Sequence, residues 1–440
     1  MVMSKEAVRT LATEVLLPAQ AQERNELDRI DGWLRWKPET IDLPSYASTE
    51  HKALRQLSET PWLSLVVTTV AQQLVCESVR STEVEDSSPM WGPWQRNRFS
   101  SRQRAIHRAA LGYGYAYNLV LPGDTGAVMR GYSPRDMYCS YQDPAVDEYP
   151  SYAVWKRDKF VYVLDEVAKY TLLQGDRGLE YVTHDIHDVG VTPAVRYSNQ
   201  IDLEGRTPGE VEPFIDVARR INKTAYDRML TQHFNSWKVR TATNIDRPAD
   251  QAEAERAKMI LRQNDILVGE GDTQFGSLPE TPLDGFINSH KADIETLAAV
   301  SQTPAHALTG QMINLSADAI TEARAMLDLK AGERKLGFGD SHCQSLRLAA
   351  HIEGRERDAA DFSLTIQWAD LESRSMSQAA DALGKMATML GVPVEMLWDK
   401  IPNVTVDEAK MWLQYKKDNP SADDQIASAL RSQADNGANG

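Results

Sequence analysis

Cysteine is nearly absent from this chain: three in 440 residues, Cys76, Cys139 and Cys343. They are odd in number and far apart, which excludes a disulfide framework and any zinc-ribbon spacing and points to a reducing compartment. Cations are also short, with 48 Lys and Arg against 63 Asp and Glu and a net charge of -15. Tight non-specific wrapping of nucleic acid needs many cationic contacts to phosphate, so that function class is excluded, although a protein that touches DNA lightly and lets it move is not. Long hydrophobic runs are missing. The uncharged stretch Thr60 to Cys76 is too short and too rich in Thr and Gln to span a bilayer. Met1 to Gln20 carries Lys5, Glu6, Arg9 and Glu14 and so has no apolar signal-peptide core. The expectation is a soluble, cytoplasmically made protein.

Catalytic signatures are missing as well. The chain has no Walker A string, no Gly-x-Ser-x-Gly and no His-Glu-x-x-His. Gly269-Glu270-Gly271 lacks the following Gly-Lys-Ser/Thr and reads as a hairpin turn. His184 and His187 place two imidazoles within reach of one metal, and with Asp185 they make the alternative reading, a metal-dependent hydrolase, but no further ligand stands at a recognisable spacing. No cofactor and no enzymatic activity are therefore expected. Trp33, Trp36, Trp62, Trp91 and Trp94 are of the kind that anchors cores and subunit contacts.

What is there is an ordinary globular composition, 42% hydrophobic and 25% charged, on a chain long enough for several domains. Leu63, Val66, Val67, Val70 and Leu74 line one face of a helix predicted to run to about Val79. An acidic, proline-bearing loop is expected over Ser81–Pro93, then a helix over Ser101–Leu111. From Tyr113 to Asn199 short β-favouring runs alternate with turn residues, which predicts an antiparallel meander: Tyr115–Leu121, Ala127–Arg130, Met137–Tyr141, Tyr152–Arg157, Phe160–Leu164, Tyr181–His184 and Ala194–Tyr197. Helices followed by such a sheet make an α+β domain.

After Thr207-Pro208-Gly209 a long helix is expected from Val211 to about Leu230, with Trp237 beyond. A compact insert follows: strand Lys238–Asn244, helix Pro248–Arg262, and strands Asp265–Val268 and Thr273–Leu278. A second long helix is predicted over Asp284–Val300. Thr303 to Leu315 contains no Lys, Arg, Asp or Glu and reads as a loop with an uncharged surface. Ser316 is placed to cap a helix running to Ile352, inside which Gly332, Gly337 and Gly339 each cost up to about 1 kcal/mol relative to Ala, the mark of a kink or of close packing. A strand at Phe362–Trp368 and helices at Met376–Leu390, Val394–Trp398 and Val406–Lys416 complete the pattern, with a frayed tail after Pro420.

Several strings, in this order, resemble the portal proteins of tailed bacteriophages of the long-tailed siphovirus type: Trp36–Pro44, Glu50–Leu57 and Thr60–Val67; Trp94–Asn97 with Arg108–Tyr117; Thr192–Asn199; and Ser316–Ile320 leading into Lys330–Gly339. The likeness extends from Trp36 to about Lys417. It implies a ring, usually dodecameric, at one capsid vertex of the virion, made in the host cytoplasm. Double-stranded DNA would be packaged and ejected through the ring, with the large terminase, a head-tail adaptor, major capsid and scaffold proteins as partners and no membrane. The resemblance maps a mixed helix and antiparallel-sheet wing onto 1–207, stem helices onto 208–237 and 284–302, and a small αβ clip onto 238–283. It maps a tunnel loop onto 303–315, a long kinked helix with a return strand onto 316–374, and a short helical crown onto 375–440.

By that mapping Thr309, Gly310, Gln311, Met312, Ile313 and Asn314 would face DNA, on a loop where the lack of fixed cations spares a moving polyanion contacts it must break. Glu253, Arg256, Lys258 and Arg262 on the clip helix would dock terminase or adaptor, and Gly332, Gly337 and Gly339 would permit the kink.

Overall fold

The computed structural model describes residues 1–35, 47–83, 88–176, 178–236, 240–243, 274–277, 279–310, 317–369, 376–401 and 406–419, with positions 37, 43, 45 and 404 between them. The fold is mixed α+β, with antiparallel sheets and long helices. Two compact units are distinct: Met1–Val75 with Val79–Ile366, and Cys76–Ser78 with Gln367–Gly440.

In the first unit, α1 (Lys5–Thr10) is capped by Ser4, whose hydroxyl accepts from the Ala7 amide. A π-helical stretch, Leu11–Leu16, leads into α2 (Leu17–Leu34). Val8, Ala12 and Leu16 recur every fourth residue and bury one stripe against Val154, Val161, Val163, Tyr170 and Leu172 of the meander. Along the chain there follow α3 (Thr49–Ser58), α4 (Trp62–Ala71), β1 (Cys76–Arg80, of which Cys76–Ser78 belongs to the second unit), α5 (Ser88–Arg96) and α6 (Phe99–Tyr113).

The helix predicted to reach Val79 ends at Ala71, because the spacing that places Val70 and Leu74 on one face is equally met by the turn at Gln72–Gln73 that buries Leu74. The second half of the loop expected over Ser81–Pro93 is helical, since Pro89 is tolerated in a first turn while Met90 and Trp94, one turn apart, bury the same face.

The meander comprises β2 (Tyr115–Gly123), β3 (Gly126–Tyr132), β4 (Met137–Ser140), β5 (Tyr152–Arg157), β6 (Phe160–Leu164), β7 (Ala168–Gly175), β8 (Gly178–Ile186) and β9 (Ala194–Ser198). They form a three-stranded sheet, β3-β2-β9, and a five-stranded sheet, β4-β5-β6-β7-β8. β7 escaped prediction, although its alternation of buried Ala168, Tyr170 and Leu172 follows the period of two.

A 3-10 turn, Glu212–Phe214, opens α7 (Ile215–Ser236). β10 (Arg240–Thr243) pairs antiparallel with β11 (Gln274–Ser277), and α8 (Asp284–Val300) returns beside α7. Asp293 of α8 ties the helices together, accepting from Thr224 at 3.1 Å and pairing with Arg220 at 2.9 Å. The helix expected at 248–262 and the strand at 265–268 lie outside the described residues. Beyond α8 come α9 (Ala305–Thr309), α10 (Ala317–Ile352), α11 (Glu356–Ala359) and β12 (Thr365–Trp368).

The second unit holds α12 (Met376–Leu390), a 3-10 helix (Val394–Lys400) and α13 (Val406–Asp418). Trp398 meets Trp412 edge-on at 6.2 Å, and Lys416 pairs with Glu395. No helix among the described residues is long and apolar enough to cross a membrane.

Candidate functional site

The chain passes from the meander into α7 through a close backbone crossing. Gly114 ends α6 in the left-handed region at φ +99°, and a Cβ there would lie 1.9 Å from the Thr207 carbonyl oxygen. A Cβ on Gly209 would stand 2.5 Å from the Gly112 oxygen. Only glycine at both positions allows 207–210 to lie against the end of α6, where the Glu210 amide donates to Leu111 O at 2.7 Å.

That crossing delivers the Glu210 carboxylate into the interior, where Lys330 and Arg334, one turn apart on α10, meet it. Lys330 pairs with Oε2 and Arg334 donates to Oε1 at 3.1 Å. All three side chains are at most 5% exposed. Asn199 donates to Pro208 O at 2.9 Å and to Glu210 Oε1 at 3.3 Å, and Arg334 also pairs with the exposed Glu333 at 3.0 Å. Burial pushes the Lys330 ammonium below its ordinary pKa, and the Glu210 carboxylate opposes that shift.

Lys330 also reaches the end of α8, donating to Ser301 O at 2.9 Å, so a cation satisfies a carbonyl left open at that helix C-terminus. The turn there is tight: Gln302 adopts φ +53°, Thr303 N donates to Ala298 O at 3.0 Å, and Ser301 Oγ donates to Thr303 Oγ1 at 3.0 Å. A left-handed non-glycine residue costs on the order of 1–2 kcal/mol, so the surrounding bonds must hold it.

The uncharged segment starts from this turn. Its first part is α9, a single helical turn after Pro304 that buries Leu308, where a loop was expected; Ala305, Ala307 and Leu308 favour helix. Thr309 donates to Ala305 O at 3.0 Å, and Gly310 stops the turn at φ +67° with nothing within 4 Å of its Cβ position. Gln311, Met312, Ile313 and Asn314 lie outside the described residues, as do Glu253, Arg256, Lys258 and Arg262.

α10 is helical through all three of its glycines. A Cβ at Gly332 would meet nothing within 4 Å, and one at Gly337 only Ser198 O at 3.9 Å, while Gly339 is buried. The structure does not gather His184, Asp185 and His187. His184 Nδ1 bonds the Tyr181 hydroxyl at 2.6 Å, Asp185 pairs with Lys169 at 2.9 Å, and His187 Nε2 donates to Asp165 O at 2.9 Å. Their ligand atoms do not lie within 4.8 Å of one another.

A second interior network links α6, β9 and α10. His107 Nδ1 is 3.2 Å from Leu74 O, which can only accept, so Nδ1 carries the proton and Nε2 is bare. His342 Nε2, 2.8 Å away, must then donate to it, leaving His342 Nδ1 to accept from Tyr197 OH at 2.8 Å. Tyr197 OH and Asn118 Nδ2 both meet Ser345 Oγ, at 3.1 Å and 3.0 Å. Each neutral ring has one proton to give and one lone pair filled; an added proton would break a bond. Burial pushes His107 down to about 4 and His342 well below an ordinary imidazole.

Neither buried network was found by sequence reasoning. Glu210 and Lys330 are 120 positions apart and His107 and His342 are 235 apart, and no local spacing links them. The one available signal was Glu210 following Gly209 at the start of a long helix.

Comparison with known families places these features. No curated protein matches the chain. The family model described as phage portal protein, SPP1 Gp6-like, matches residues 16–421, which takes in both buried networks, the α7–α8 pair and the uncharged segment. By that match the chain belongs to the SPP1 Gp6-like family of phage portal proteins.

Proposed function

We propose that this portal protein works as one subunit of a ring at a capsid vertex, a passive conduit through which double-stranded DNA is packaged and later ejected. Residues 1–207 form the wing, α7 and α8 the stem within 208–237 and 284–302, 238–283 the clip, 303–315 the tunnel loop, 316–374 the long helix and return strand, and 375–440 the crown. The supporting observation is the anchoring of the uncharged segment. A segment without Lys, Arg, Asp or Glu leaves α8 at a turn clamped by Lys330 on α10, and Glu210 brings the entry of α7 to the same clamp. A loop that meets a moving polyanion needs a neutral surface and a firm base, and this one has both.

On this reading the clip, with Glu253, Arg256, Lys258 and Arg262, docks the large terminase during packaging and a head-tail adaptor afterwards, and the crown faces the capsid interior. Glycines 332, 337 and 339 let α10 bend or let a neighbouring subunit approach. Native mass spectrometry with negative-stain microscopy of the purified protein tests the reading: stalked rings are expected. A monomer or dimer that binds a divalent metal through His184, Asp185 and His187 would replace it with the hydrolase alternative.

A further inference from the structure

The first unit has a cationic cleft that the portal reading does not use. Arg102 of α6, Arg130 of β3 and Arg157 at the end of β5 line a cavity of about 650 Å³. Arg130 and Arg157 are shared with an adjoining cavity of about 280 Å³ walled by Trp155, Tyr162 and Tyr132. The cleft exists because β3 carries Gly131, whose Cβ position is only 2.6 Å from Ile106 Cγ1: any side chain there would push α6 away from the sheet. Trp155 stacks on Tyr162 at 5.1 Å, and Tyr132 leans on Trp155 at 5.9 Å, which makes a rigid aromatic wall.

All three arginines are exposed, and none of their side chains has a hydrogen-bond or ion-pair partner among the described residues. Most arginines of the unit do have one, as Arg96, Arg135, Arg206, Arg220, Arg347 and Arg355 show. Three open guanidinium forks beside aromatic faces, on a chain of net charge -15, recognise an anion that also brings apolar surface.

We infer that this cleft receives a carboxylate-bearing segment of a second copy of the chain and so forms the cationic half of the contact between neighbours in the ring. The inference rests on the ring reading. Two physical points favour a neighbouring copy over DNA. A duplex is read by elements that protrude into its grooves, whereas this site is concave and of the size that takes a few side chains. A head-to-tail ring interface joins two different faces, and a chain with 15 surplus acids carries ample carboxylate for the other half.

The test places a photo-crosslinking p-benzoylphenylalanine at Tyr132 and compares wild type with R102E/R130E/R157E for ring yield by native mass spectrometry. A cross-link from the cleft to an Asp- or Glu-containing peptide of a second copy is expected, with ring yield reduced tenfold or more in the triple variant. Circular dichroism should stay unchanged, since the three side chains are exposed. Wild-type rings matched by equally abundant triple-variant rings overturn this inference alone, as does a cross-link confined to one chain. A cross-link to added 30-base-pair duplex DNA, lost in the triple variant, reassigns the cleft to phosphate. Absence of any wild-type ring sinks the ring reading itself.

Discussion

The Lys330 ammonium donates to the carbonyl oxygen of Ser301 at 2.9 Å, joining the long helix α10 to the residue at which α8 ends and the uncharged segment begins. The same nitrogen pairs with Glu210, at the entry to α7, so one buried charge holds three elements whose ends are far apart in sequence.

Replacing Lys330 with Met removes that charge and leaves the Glu210 carboxylate in the interior with Arg334 as its one remaining cation. Breaking a buried pair costs roughly 3–5 kcal/mol. The urea midpoint of the Lys330→Met monomer should fall accordingly, and adding Glu210→Gln should lower it further, because the buried Arg334 then loses its carboxylate as well. Equal midpoints for wild type and Lys330→Met would show that the pair contributes nothing.

Glycines in this chain should divide sharply by position. Gly114→Ala forces a Cβ to 1.9 Å from the Thr207 oxygen at a φ of +99° and should yield insoluble protein. Gly332→Ala meets open space inside a helix and should stabilise the monomer by up to about 1 kcal/mol, read from thermal unfolding. If Gly332→Ala also weakens ring assembly, the glycine serves bending or close approach between subunits.

The paired imidazoles make stability pH-dependent. In the unfolded chain each histidine titrates near 6.5, while the folded state holds His107 at about 4 and His342 well below its ordinary value. Between those limits the unfolded state binds more protons, so stability is complete above about pH 6.5 and falls as pH drops towards 4. Thermal unfolding measured from pH 7 to 4 should show this fall, and the double variant His107→Gln/His342→Gln should flatten it. A wild-type curve with no histidine-dependent limb would contradict the neutral pair.

Much of the fold was legible in the sequence. Periodicity and turn residues located Asp284–Val300, Tyr152–Arg157 and Phe160–Leu164 with both ends in place, because each is a short apolar pattern bounded by turn or breaker residues. The turn at Gln72–Gln73 was not legible, since a residue just past a helix can keep the spacing of its buried face. Strand β7 was hidden by Lys169 and Gln174, polar residues near its two ends. The uncharged segment was legible by composition, but its anchor was not. Lys330 reads locally as one of several cancelling charges on a long helix, and only the tertiary fold brings Glu210 and Ser301 to it.

Charge on the clip and on the loop should have separable effects. R256E/K258E is expected to impair terminase or adaptor binding in a pull-down while rings still assemble, and unchanged binding would remove these two residues from the docking surface. Gln311→Lys with Asn314→Lys would place cations around the channel, each adding a phosphate contact that DNA must break to advance. Packaging rate in a reconstituted assay should fall, more so at low salt.

The central claim is that residues 303–315 line the passage for DNA. A single-particle reconstruction of the assembled protein tests it most directly. The account predicts a ring with a central channel whose narrowest point is formed by this segment, carried on the Lys330-clamped end of α8. A closed two-fold dimer without a channel, or a ring whose channel is lined elsewhere with 303–315 turned outward, would contradict it.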